Sequence, residues 1–134
     1  MSDGFVGDYN LVTSENFDDF LKALGVGMIL RKTAGALKPS FHVAKDGEDA
    51  FTFKSVSTFK TTEIKFKLGE EFEQKRMDGV LCKCVITKDG NKFIEEQKSD
   101  PPAKIVREFN GDELKIVCTC KDAVATRIYK RATK

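Results

Sequence analysis

From Ser40 onward the polarity of the chain alternates with a period of two, and paired turn residues interrupt it at regular intervals. Ile64, Phe66 and Leu68 share one face of such a stretch, and Glu63, Lys65 and Lys67 share the other. Leu114, Ile116, Cys118 and Cys120 alternate in the same way with Glu113, Lys115, Val117 and Thr119. A strand turns successive side chains to opposite faces, so the pattern predicts strands with one buried and one wet face. Between them stand Asp46-Gly47, Leu68-Gly69, Asp78-Gly79, Asp89-Gly90, Asn110-Gly111 and Lys121-Asp122. Asp-Gly and Asn-Gly favour the backbone geometry of tight hairpins. Their spacing, roughly 8–12 residues, is that of a meander of short antiparallel strands.

Ahead of this region the period differs. Phe5, Gly7, Tyr9 and Leu11 alternate and predict a first strand. Phe17, Phe20, Leu21 and Leu24 then fall on one helical face. Ser14 or Asn16 is expected to cap that helix, Asp18 and Asp19 complement its dipole, and Gly25 ends it. Residues 28–37 read as a second short helix closed by Pro39. One strand, two short helices and about nine further strands predict an all-β, ten-stranded antiparallel up-and-down barrel, since closure removes exposed sheet edges. A barrel of this size can enclose one small ligand. The helices, within residues 16–38, are too short to fill it and are expected to cap one end.

Composition narrows the function. The chain has 134 residues, which suits a single domain spanning residues 1–134. Its 23 Lys and Arg against 21 Asp and Glu leave a net charge of +2, too little to favour nucleic acid. No apolar run reaches the ~20 residues of a membrane-spanning helix. The first residues lack the pattern of a signal peptide, so the chain reads as cytoplasmic, with four reduced Cys. The single His leaves little with which to build hydrolytic chemistry, and no catalytic residue, cofactor or metal is expected. Eleven Phe in a Trp-free, highly charged chain must line something, and with Arg and Tyr expected among them they read as the wall of a cavity rather than a solid core.

The last predicted strand carries the candidate binding chemistry. Arg127 and Tyr129 lie two residues apart and face the same way. Arg107 sits among the apolar residues of Ile105-Val106-Arg107-Glu108-Phe109. Pointed inward, these side chains would place two guanidinium groups and a phenol in the barrel. Such cations need an anionic partner, and arginine's planar fork matches a carboxylate. The implied ligand is an amphiphile with a carboxylate head and an apolar tail. Pointed outward, Arg107 and Arg127 would pair with surface acids, and spacing does not separate the two readings.

A resemblance bears on this choice. Gly7-Asp8-Tyr9-Asn10-Leu11, followed by Asn16-Phe17-Asp18-Asp19-Phe20-Leu21-Lys22-Ala23-Leu24-Gly25-Val26-Gly27, resembles the N-terminal signature of cytosolic fatty acid-binding proteins. Ser57-Thr58-Phe59-Lys60-Thr61-Thr62-Glu63 and Phe66-Lys67-Leu68-Gly69-Glu70-Glu71-Phe72 resemble that family's central motif. Thr126-Arg127-Ile128-Tyr129 resembles its C-terminal motif. The matches are in order and span nearly the whole chain. The resemblance implies a β-clam with a helix-turn-helix lid and a gap between the fourth and fifth strands near Leu68-Gly69-Glu70. It implies that Arg107, Arg127 and Tyr129 bind the carboxylate, and that Phe17, Phe20, Phe59, Met77 and Cys118 face the tail or portal. It further implies a monomeric, non-catalytic carrier of a long-chain fatty acid. The lid residues Lys22, Arg31 and Lys32 would touch anionic membrane surfaces or act in nuclear entry. Tyr9 stands where the family commonly has Trp, and Asp100-Pro101-Pro102-Ala103 differs from most of its turns.

The remaining signals read as structural. The Cys82-x-Cys84 and Cys118-x-Cys120 pairs lack the knuckle spacing of zinc sites and are expected to be small inward-facing apolar residues. Cys118, on a cavity-lining position, is expected to react slowly with electrophilic lipids. His42 reads as structural. The alternatives are a carrier of another hydrophobic carboxylate such as retinoic acid, a lipid isomerase, which lacks an acid–base pair here, and an interaction module using the outer surface.

Overall fold

The structure is a computed structural model that describes residues 5–76 and 79–132. Ten strands and two helices follow in the order β1 (Gly7–Glu15), α1 (Phe17–Leu24), α2 (Met28–Ala36), β2 (Ser40–Lys45), β3 (Ala50–Val56), β4 (Thr61–Lys67), β5 (Phe72–Lys75), β6 (Leu81–Asp89), β7 (Lys92–Gln97), β8 (Ala103–Asn110), β9 (Glu113–Cys120) and β10 (Ala123–Arg131). All neighbours are antiparallel, and the sheet order β4-β3-β2-β1-β10-β9-β8-β7-β6-β5 bends round into a nearly closed barrel. β4 and β5 are the two ends of that order. The expected gap therefore falls at the Leu68-Gly69-Glu70 stretch, where the Phe66 and Phe72 rings stack 5.9 Å apart across the break.

The alternation is realised strand by strand. On β9, Leu114, Ile116, Cys118 and Cys120 are buried, while the residues between them are partly exposed. Cys82 and Cys84 point inward on β6 in the same way. Gly90 and Gly111 adopt left-handed backbone (φ 63° and 61°), which the hairpins β6–β7 and β8–β9 require. Gly25 (φ 97°) closes α1, and its backbone N–H donates to Lys22 O.

The start of α1 differs from expectation. Asn16 does occupy the N-cap position, but its backbone is left-handed and its side chain makes no cap hydrogen bond. Its Nδ2 instead donates to Val124 O at 3.4 Å. Ser14 lies in β1, where its hydroxyl accepts from Arg127 Nε. Pairing with the barrel thus claims both candidate cap side chains.

The aromatic residues also divide in a way that composition did not foretell. Phe5, Phe51, Phe53, Phe66, Phe93 and Phe109 form a network of tilted and edge-on ring contacts, with centroids 4.9–6.0 Å apart. Such offset geometries suit the ring quadrupole. Six of the eleven Phe thus pack against one another, while Phe17, Phe20, Phe41 and Phe59 line a cavity. Tyr9, fully buried, joins this cluster through Phe109 and donates its hydroxyl to Phe5 O at 2.9 Å. Arg131 stacks its guanidinium 4.9 Å from the Tyr9 ring and donates to its hydroxyl. A Trp there could not accept that hydrogen bond, because its indole N–H only donates.

Candidate functional site

α1 and α2 lie over a cavity of about 270 Å³. Phe17, Phe20 and Phe59 line it, as do Arg107, Arg127, Tyr129 and Cys118. Strand register explains why residues so distant in sequence meet. Arg107 on β8 and Arg127 on β10 both pair with Ile116 on β9, so the three form one row across adjacent strands. With strands roughly 4.8 Å apart, the two arginine backbones sit about 10 Å from each other. Tyr129 follows two residues after Arg127 and turns to the same face.

The local environment of each group is distinct. Arg127 is buried, at 9% exposure, and its Nε donates to Ser14 Oγ at 3.1 Å. Its guanidinium lies 3.9 Å from the centre of the Phe17 ring, so the first helix rests directly on this cation. Among the described residues no carboxylate pairs with it. Burial pushes the Tyr129 phenol above its ordinary value, although Arg127 and Arg107 pull it down, so it remains a donor at neutral pH.

Arg107 has a partner that was not anticipated. Glu95 on β7 is fully buried and accepts from Arg107 Nη1 at 2.7 Å. Its other oxygen accepts from Gln74 Nε2 at 2.5 Å and Gln97 Nε2 at 2.8 Å. Arg107 also stacks on Phe53 and Phe41, 5.2 and 5.7 Å from the ring centres. One signal for Glu95 was present in the sequence. It shares a strand face with Phe93, so an inward Phe93 forces Glu95 inward too. With the Arg107 charge compensated, Arg127 is the cation of this row that lacks an acid.

Phe20 is buried and stacks on Phe17 at 6.1 Å, while Phe59, on the turn between β3 and β4, is half exposed. Met77 lies outside the described residues. Cys118 is buried in the cavity wall, and burial pushes its thiol up to about 11 against the opposing pull of Arg107 and Arg127. Only the thiolate is an effective nucleophile, so little of it is available at neutral pH. Alkylation of Cys118 by iodoacetamide, followed by mass spectrometry, should be slow at pH 7 and accelerate toward pH 11. A rate at pH 7 equal to that of the denatured chain would overturn this.

The lid charges differ from expectation in one respect. Arg31 is not a free surface base. Its Nε pairs with Asp18 at 3.0 Å and its Nη1 donates to Val26 O at 2.9 Å, which ties α2 to α1. Lys22 and Lys32 remain exposed. His42 bridges Ser40 Oγ (2.8 Å) and Asp8 Oδ1 (2.6 Å) between β2 and β1, far from the arginine row in the sheet. All four Cys are buried free thiols, and no group of three or more His, Cys, Asp or Glu side chains gathers among the described residues. No helix among them is long and apolar enough to cross a membrane.

Known proteins share this architecture. A fatty acid-binding protein of Lepidoglyphus destructor is 53% identical over 94% of this chain and 96% of its own. The solved fatty acid-binding protein from Drosophila melanogaster brain is 47% identical, with a TM-score of 0.90 over 94% of this chain and 98% of that one. A Schistosoma mansoni fatty acid-binding protein, solved in complex with arachidonic acid, is 38% identical, with a TM-score of 0.91 over 97% of each chain. Residues 6–132 match the profile of the Lipocalin / cytosolic fatty-acid binding protein family, and the chain belongs to that family.

Proposed function

We propose that the protein is an intracellular, non-catalytic carrier that holds one long-chain fatty acid as a monomer. The family is one of binding proteins rather than enzymes. The observation that carries the reading is the buried Arg127, which has no acid partner among the described residues and lines the cavity together with Tyr129 and the Phe17, Phe20 and Phe41 rings. A buried cation of this kind needs an anion, and a fatty acid supplies one together with a tail. The carboxylate meets Arg127 and Tyr129, with Arg107 adjoining through its idle Nε. The tail passes Cys118 and runs between Phe17, Phe20 and Phe59, gaining roughly 0.8 kcal/mol for each CH₂ removed from water. Phe17 must yield as the head group approaches Arg127, because its ring covers that guanidinium.

Delivery at an anionic membrane surface fits the exposed Lys22 and Lys32 together with the exposed Met28 and Ile29 at the start of α2. Arg31 contributes to the stability of the lid rather than to that surface.

Native mass spectrometry of freshly purified protein, with extraction of the bound lipid, tests the reading. A long-chain fatty acid at one per chain is expected. A retinoid carboxylate would support the same site with a different tail. Absence of any lipid, with no displacement of a fluorescent fatty acid, would overturn it.

A further inference from the structure

Ser40, His42 and Asp8 form a hydrogen-bonded chain on the outer face of the barrel. Tyr9 on β1 and Phe41 and Val43 on β2 are buried, so the residues between them, Asp8 and Asn10 on one strand and Ser40 and His42 on the other, turn outward. Asp8 and His42 are register partners across the β1–β2 pair, as are Asn10 and Ser40. Asp8 Oδ1 lies 2.6 Å from His42 Nδ1, and Ser40 Oγ lies 2.8 Å from His42 Nε2. The His42 and Asp8 side chains keep 34% and 66% of their exposure and Ser40 is partly exposed, so a reagent in solution reaches all three.

The sequence of contacts assigns a role to each group. A carboxylate only accepts, so Nδ1 carries the hydrogen and Nε2 keeps its lone pair. The Ser40 hydroxyl therefore donates to Nε2. Nucleophile, base and orienting acid stand in line, a constellation recognised by geometry and not by order along a chain.

We propose that Ser40 is a reactive serine that takes an acyl group from activated esters, with His42 as its base and Asp8 as a positioning residue. The bond between Ser40 Oγ and the acyl carbon forms as the Oγ proton passes to His42 Nε2. The carbon–oxygen bond of the donor breaks, and Nε2 returns the proton to the departing phenolate. Ser40 and an aryl ester thus become acyl-Ser40 and a free phenol. Asp8 holds the imidazole in the required tautomer and stabilises it while it is charged. Asn10, opposite Ser40 on the same face, brings an amide donor near the developing oxyanion.

The class of donor follows from the setting. This is an open sheet surface, so the acceleration comes from the positioned base, worth about 10²–10⁴-fold. That suffices for an ester with a good leaving group and not for an amide. The site is a point of modification on a binding protein. It lies on the opposite side of the sheet from the cavity, so it stands or falls independently of the fatty acid reading.

Incubation with 4-nitrophenyl acetate, quenching and peptide mapping by mass spectrometry tests this. Ser57 is the internal control, a partly exposed serine whose hydroxyl donates to Lys60 O and faces no imidazole in its recorded contacts. Acetyl should appear on Ser40 about a hundredfold or more faster than on Ser57. His42→Gln and Asp8→Asn should each lower that ratio about tenfold or more, with thermal unfolding and displacement of a fluorescent fatty acid unchanged. A ratio within one chain does not respond to a merely structural role of Asp8. The comparison in the unmodified protein decides the matter should a variant fail to fold. Labelling of lysines alone, Ser40 labelled no faster than Ser57, or a ratio that either substitution leaves unchanged would overturn the proposal.

Discussion

Arg127→Gln is expected to weaken fatty acid binding by about 2–5 kcal/mol, roughly thirtyfold or more, because a buried charge-assisted contact is lost. Binding of the corresponding methyl ester should change far less, since the ester brings no charge to Arg127. The contrast isolates the electrostatic part of recognition from burial of the tail. Arg127 is the residue to change because its charge is uncompensated. Ser14 Oγ and the Phe17 ring are its neighbours, and both are neutral. Arg107→Gln is a less clean experiment, since it also strands Glu95. Isothermal titration of the acid and its ester against both proteins measures the difference. Equal losses for the two ligands would show that the carboxylate is bound elsewhere.

The second large effect concerns stability. Glu95→Ala leaves the Arg107 guanidinium without its carboxylate, and the amide donors of Gln74 and Gln97 without their acceptor. Breaking a buried pair from one side costs about 3–5 kcal/mol. For a chain of this length that corresponds to a fall in Tm on the order of 10–20 °C. Glu95→Gln keeps the volume and one acceptor oxygen, so its cost should be smaller. It also releases the Arg107 charge toward the ligand, so fatty acid affinity should rise even as the protein is destabilised. Thermal unfolding by circular dichroism and titration of the two variants check both directions. A Glu95→Ala protein within about 1 kcal/mol of the parent would mean that water reaches this pair and screens it.

These predictions involve groups of unequal legibility in the sequence. Arg127 and Tyr129 were found from their i, i+2 spacing and from a resemblance to a known family. Glu95 was missed, although the same alternation applies to it, because a Glu in a highly charged chain reads as surface. Burial of a carboxylate becomes intelligible only when its donors are known, and these come from its own strand and two others. Arg31 illustrates the opposite error. A helix with bases and no acids looks like an open basic face, but Asp18, thirteen residues earlier, reaches it from α1. The cap of α1 failed for a related reason, since a cap preference near 1 kcal/mol yields readily when barrel strands offer other partners.

The alternation, the hairpin turns and the amphipathic first helix were sufficient for the ten strands, their antiparallel order and the helical lid. Each is a local signal, encoded within a few residues by side-chain direction and backbone preference. Tertiary structure alone decided how the eleven Phe divide between packed core and cavity wall, and which of two similar arginines is already neutralised. Both depend on strand register and barrel closure, which bring Arg107 and Arg127 to either side of Ile116 and bring Glu95 to one of them. Those distances are set by pairing between strands remote in sequence, so no window of neighbouring residues contains them.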